Sequence, residues 1–123
     1  MYYNKLIGKI GESLACEFLK EKGYVILERN FKCIQGEIDI IAKDISKGDL
    51  VFIEVKTRRN FQYGYPAEAV NDYKQRHIYK SVKYYIYKNK VKNIPVRLDV
   101  MEIVIKDKKI FINHIIQAFD SIK

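Results

Sequence analysis

The segment Leu50-Val51-Phe52-Ile53-Glu54-Val55-Lys56-Thr57 constrains the fold more than any other stretch of this chain. A strand exposed on one side alternates apolar and polar residues, whereas an unbroken apolar run belongs to a central strand covered on both faces. Residues two apart in a strand share a face and lie about 6.6 Å apart. Phe52, Glu54 and Lys56 therefore point one way, and Val51, Ile53 and Val55 the other. A carboxylate and an ammonium thus enter a strand that should still be buried. Burying an ion costs roughly several kcal/mol unless it is well compensated, so stability alone explains the placement poorly.

The preceding apolar stretch, Glu37-Ile38-Asp39-Ile40-Ile41-Ala42, adds acid. Glu37 and Asp39 share a face. The short turn Lys43-Asp44-Ile45-Ser46-Lys47-Gly48-Asp49 predicts an antiparallel hairpin that brings one of them beside Glu54. Two adjacent carboxylates raise each other's pKa unless a cation lies between them. A hard divalent ion, Mg²⁺ or Mn²⁺, suits such oxygen ligands, and Lys56 on the same face can act on a bound water or a phosphate. The alternative is a surface ion pair worth about 0–1 kcal/mol. On the N-terminal helix, Glu12 falls at the rim of the apolar arc, near Gly8, Ala15 and Leu19, and can approach the same place; Glu17 and Glu21 read as solvated charges.

The rest of the chain frames this pair. Leu6, Ile7, Ile10, Leu14, Phe18 and Leu19 recur at helical spacing from about Asn4 to Lys22, and Gly23 supplies the stop. Tyr24 to about Glu28 reads as a first strand. Arg58 to Tyr65 reads as a loop. Pro66 opens a second helix, whose buried stripe is Val70, Ile78, Val82, Tyr85 and Ile86. Val96–Ile105 and Lys109–Ile116 alternate as strands, with Asp107 to Lys109 as their turn. The order is α-β-β-β-α-β-β, an α/β (α+β) arrangement around a central mixed sheet, and 123 residues suffice for one such domain.

Twenty-three Lys and Arg against 15 Asp and Glu give a net charge of +8, which favours a polyanionic partner. From Asp72 to Lys92 there are seven basic residues and one acid. Arg76, Lys80, Lys83, Tyr84, Tyr87 and Lys88 cluster opposite the buried stripe, a pattern that suits a phosphate track with base stacking and equally a solvated face. Thr57, Arg58 and Arg59 follow Lys56 directly and are candidate phosphate contacts. Cys16 and Cys33 lack metal-finger spacing and read as free thiols, and His77 and His114 stand alone. With no apolar run near the roughly 18 residues of a membrane span and no signal-peptide pattern, the expected location is the cytoplasm.

Taken together, GKIGESLACEFLKEKGYVILERNF, GEIDIIAKD, LVFIEVKTR, GYPAEAV with Lys74 following, and RLDV resemble the YraN family of small bacterial proteins. That family is similar to Holliday-junction resolvases and restriction-endonuclease-like nucleases. The resemblance implies a restriction-endonuclease-like core and a Mg²⁺- or Mn²⁺-dependent nuclease. Its catalytic set is carried onto Glu12, Asp39, Glu54 and Lys56, with Asp39, Glu54 and Glu12 on the metal. Ile38 departs from the proline that many related nucleases carry before this acid, though its side chain belongs to the opposite face. Glu37 remains either an auxiliary ligand or a structural acid. DNA, branched or otherwise structured, is the implied partner, with Thr57, Arg58, Arg59, Lys74, Arg76 and Lys80 as candidate contacts, and a homodimer would match a two-fold junction. The alternatives are a non-catalytic nucleic-acid-binding module on the same fold and a purely structural domain.

Overall fold

In the computed structural model, residues 2–59 and 72–119 are described. The expected loop residues Tyr63 to Tyr65, the helix start at Pro66 and the stripe position Val70 lie outside them. Helix α1 spans Tyr2–Glu21, followed by strands β1 (Tyr24–Cys33), β2 (Gly36–Asp44) and β3 (Asp49–Arg58). Helix α2 (Asp72–Lys88) precedes β4 (Val96–Lys106) and β5 (Lys109–Ile115). The observed order is the expected α-β-β-β-α-β-β. Gly23 has φ +90°, so the helix stop uses the left-handed conformation open to glycine.

The five strands lie in sequence order, β1-β2-β3-β4-β5. Neighbours are antiparallel except β3 and β4, which run parallel from Leu50↔Val96 to Arg58↔Val104. A parallel pair needs a crossover, and the segment carrying α2 supplies it. β3 is therefore covered on both sides. Phe31, Ile38, Ile41, Phe52 and Val100 pack with Ile78, Val82 and Tyr85 of α2. On the other face, Ile40, Val51, Ile53, Met101 and Ile103 pack with Ala15, Cys16 and Leu19 of α1. The β4–β5 turn places Asp107 and Lys108 at φ 52° and 62°, as a tight two-residue hairpin requires.

Several details differ from the sequence reading. β1 continues five residues past Glu28, to Cys33, because it pairs with the whole of β2, with one irregularity between Ile26 and Glu28. In α1, Leu6 and Ile10 are exposed, while the buried line runs through Gly11, Ala15 and Leu19. The helix meets the sheet through its smallest residues, and the larger apolar side chains lie on its flank. Gly8 has open space around it, and Gly11 makes the contact. A Cβ there would fall onto Thr57 Oγ1 and within 2.9 Å of Thr57 Cβ and Cγ2. Gly11→Ala is expected to cost about 1–3 kcal/mol by overpacking, with partial recovery in Gly11→Ala/Thr57→Ala, measured by urea denaturation.

A second group of buried charges lies on the α1 face. Arg97 is 4% exposed and Asp99 1%. The Arg97 guanidinium donates to Asp99 at 2.9–3.2 Å, Asp44 at 3.1 Å, Asp49 at 3.0 Å and the Tyr24 hydroxyl at 2.6 Å. Asp99 also accepts from the Gln117 N–H at 3.0 Å and meets His114 Nε2 at 2.7 Å. Burial works against the Asp99 charge, but these partners outweigh it and hold its carboxyl below the usual range. This contribution is present at neutral pH and is lost as pH falls through the lowered pKa. Arg97→Met removes the one guanidinium from these acids, and a loss of about 3–5 kcal/mol is expected from denaturant titration at pH 7.

Candidate functional site

The β2–β3 ladder runs from Asp44↔Asp49 to Ile40↔Ile53 and stops. One residue further, the partners would be Asp39 and Glu54. There β2 departs from β3, and the Asp39 side chain takes the place of its backbone: Oδ2 accepts the Val55 N–H at 2.8 Å. The parting also changes which face β2 presents, since Ile38 and Ile41 pack toward α2 and Ile40 toward α1. Burial, followed by the charge of Glu54, pushes the Asp39 carboxyl up to about 8 despite the Val55 hydrogen bond.

Glu54 follows Phe52 on the α2 face and is buried, with 7% exposure. Its Oε1 lies 2.7 Å from Lys74 Nζ and 3.7 Å from Lys56 Nζ. The two amines diverge. Burial, then the adjacent Lys74, pushes Lys56 down, against the attraction of Glu54 and Asp39. Burial also opposes the charge of Lys74, but its hydrogen bond and attraction to Glu54 outweigh that and hold it above the usual range. Lys56 is accordingly the amine that loses its proton more easily, while Lys74 stays cationic.

Glu12 approaches from α1, half-buried beside the Gly11 contact. Burial raises its pKa, Arg29 and a hydrogen bond from Asn30 lower it, and Glu37 and Glu54 raise it further. Asp39 in turn feels the Glu12 charge. These acids share one electrostatic neighbourhood. Among the described residues, however, no group of three His, Cys, Asp or Glu side chains is gathered closely enough to hold a metal ion. The three acids expected on one ion are thus not gathered into a single ligand set: Asp39 and Glu54 influence each other directly, and Glu12 is felt through its charge. Glu37 is exposed on β2, paired across the ladder with Lys32.

The expected phosphate contacts divide. Arg76 and Lys80 are exposed on α2. Arg58 pairs with Glu102 at 3.3 Å and is largely buried, while Thr57 packs under Gly11. Lys74, expected as a nucleic-acid contact, lies instead against Glu54. The missed signal is topological, because a crossover leaving the end of β3 returns its next helix over that strand. Both cysteines are free, as expected. No helix among the described residues is long and apolar enough to cross a membrane.

A family model described as uncharacterised protein family UPF0102 matches residues 11–103, which include all four expected catalytic positions. The chain belongs to the UPF0102 family. It is 52% identical over 105 residues to a UPF0102 protein of Clostridium botulinum (strain 657), covering 85% of this chain and 84% of that one. A UPF0102 protein of Caldicellulosiruptor saccharolyticus is 47% identical over 115 residues, 92% and 96% of the two chains. One from Caldanaerobacter subterraneus subsp. tengcongensis is 43% identical over 118 residues, 94% and 95% of the chains. The UPF0102 match agrees with the YraN resemblance seen in the motifs.

The raised Asp39 carboxyl has a measurable consequence in this UPF0102 protein. Its folded pKa lies above the unfolded value, so its share of stability is complete below about pH 4 and declines as pH rises toward about 8. Asp39→Asn keeps an oxygen for the Val55 N–H but cannot ionise. In chelator-treated protein it should exceed wild type by on the order of 1–3 kcal/mol at pH 8 and by nothing at pH 4. Urea denaturation at the two pH values measures this; an equal difference at both would contradict the shift.

Proposed function

We propose that this UPF0102 protein is a metal-dependent nuclease with a restriction-endonuclease-like core, hydrolysing phosphodiester bonds in DNA. One observation carries the reading: where two strands part, a carboxylate pushed up to about 8 adjoins a buried glutamate and an amine whose pKa is pushed down. Opposed shifts of this kind, at neighbouring groups, favour acid–base chemistry over simple pairing.

The donor set fits a hard divalent cation. Asp39 and Glu54 offer only carboxylate oxygens, and the repulsion that raises Asp39 is relieved by positive charge between them. A pair of protein carboxylates suits Mg²⁺ or Mn²⁺, which retain waters. Asp39 and Glu54 would hold it, with the field of Glu12 adding attraction. Such an ion, when bound, supplies charge stabilisation to a phosphate oxygen and lowers the pKa of a bound water.

The remaining roles belong to the chain itself. Lys56, which burial and the adjacent Lys74 push down, positions the attacking water. Lys74 stays charged and fixes the Glu54 carboxylate. The Val55 N–H orients Asp39. Arg58, anchored by Glu102, and Arg59 add positive potential at the end of β3, and Arg76 and Lys80 extend it along α2. By resemblance to resolvases the substrate is branched or structured DNA, and a two-fold junction would engage a homodimer.

The exposed basic face of α2 favours a second reading, a nucleic-acid-binding module without turnover. Junction, flap and linear DNA incubated with and without Mn²⁺ separate the two. Cleavage by wild type should fall at least about 100-fold in Glu54→Ala and Lys56→Ala. Salt-sensitive binding with no metal-dependent cleavage, or cleavage unchanged in both variants, would rule out the nuclease.

A further inference from the structure

A cleft of about 670 Å³ opens at the C-terminal end of α2, away from the acidic site. Two tyrosines, Tyr84 and Tyr87, and three lysines, Lys88, Lys90 and Lys92, line it, with apolar surface from Ile86 and Val91. Its volume lies within the range of small-ligand sites. Tyr84 is held by its contact with Phe31, ring centroids 6.3 Å apart at 30°. Tyr87 is 82% exposed, so the core makes little use of its ring.

The helix end is built in an unusual way. Val91 N–H bonds the Ile86 carbonyl at 3.1 Å and Lys90 N–H the Tyr87 carbonyl at 3.2 Å, the paired bonds of a Schellman cap. The cap residue is Lys90, at φ 52°. Glycine adopts that conformation without steric penalty, and Asn or Asp offset it with local hydrogen bonds; lysine has neither advantage. A cation near a helix C-terminus gains from the macrodipole, which accounts for Lys88. It does not account for aromatic rings among the lysines. Strain retained at a cleft points toward a use for the side chain.

We propose that this cleft is a nucleotide subsite that takes an unpaired base of a single-stranded nucleic-acid segment. Tyr87 and Tyr84 supply stacking surface, and Lys88, Lys90 and Lys92 supply charge for the flanking phosphates. The inference rests on the nucleic-acid reading above and narrows its substrate. Lys74 and Lys88 are 14 residues apart on one helix, about 21 Å at 1.5 Å per residue. That distance corresponds to about six stacked nucleotides at 3.4 Å each. The substrate is therefore DNA with a single-stranded arm, engaged about six nucleotides from the acidic site.

Binding of the full chain to a labelled 12-nucleotide thymidine strand and to a blunt 12-base-pair duplex, followed by anisotropy in EDTA, tests this without cleavage. Tyr87→Ala should weaken single-strand binding by roughly 5- to 100-fold and duplex binding by less than about twofold. Lys90→Gly should raise Tm by about 3–6 °C while weakening single-strand binding and reducing the salt slope by about 0.7. A purely structural lysine would give the Tm rise with unchanged binding, and that result overturns the proposal. So does equal loss on both ligands in Tyr87→Ala. Tyr87-dependent binding by a chain that cuts no DNA would sink the nuclease reading and leave the subsite standing. Cleavage without that dependence would do the reverse.

Discussion

The hydrogen bond from the Val55 N–H to the Asp39 carboxylate is the constraint on which the rest of the site depends. A central strand normally gives every N–H to a neighbouring backbone. Here β2 leaves at Ile40, and a side chain from β2 replaces the missing carbonyl. The exchange opens a gap in the sheet without orphaning a buried donor, and it holds a carboxylate inside that gap. Glu54 and Lys56 then line the opening because the period of the strand puts them on the face of Phe52. Were the ladder continued by one more pair, Asp39 would be an ordinary strand residue.

The helices complete the arrangement by different means. α1 comes close because Gly11 has no side chain to meet Thr57, and that contact sets the depth at which Glu12 is carried. α2 is brought over β3 by the parallel β3–β4 pairing, and its first turns deliver Lys74 to Glu54. Close packing on one side and crossover geometry on the other thus fix two charges that come from outside the hairpin. Lys74 pairs with the buried Glu54, whereas Glu12 acts on its neighbours through its charge. Their value is in the potential they impose on Asp39, Glu54 and Lys56.

Much of this was legible in the residues. The apolar run before Glu54 identified a central strand, the Lys43–Asp49 turn brought either Glu37 or Asp39 beside it, and the family resemblance pointed to Asp39. Element order followed from period and turn chemistry alone. The helix face was misjudged because Leu6 and Ile10 are more hydrophobic than Gly11 and Ala15, while packing against a sheet selects for closeness as well as hydrophobicity. Lys74 was legible as a motif residue and a candidate nucleic-acid contact but not as the partner of Glu54, which lies 20 positions away, across the crossover. The Arg97–Asp99 pair carries the same signature as Glu54–Lys56, alternate charges in a strand buried on both faces. RLDV contributes to the family resemblance, but its alternate charges in a doubly apolar strand mark β4 just as Glu54 and Lys56 mark β3.

Setting these two charged strands side by side shows what distinguishes a site from a scaffold. Around Arg97 every charge has close partners of the right kind, and the Asp99 and Asp44 carboxyls lie below their usual range. That network favours its own ionised state and resists change. Around Asp39 the signs are reversed. Asp39 is driven up and Lys56 is driven down, while Lys74 is held above its usual range. The Val55 bond holds Asp39 in place, and Lys56 and Lys74 meet at Glu54 beside it. Opposed shifts of this kind mark a candidate for acid–base chemistry, and a stabilising ion-pair network lacks them. The same sequence pattern, charges at i and i+2 on a buried strand, therefore sits in two electrostatic environments whose pKa shifts run in opposite directions.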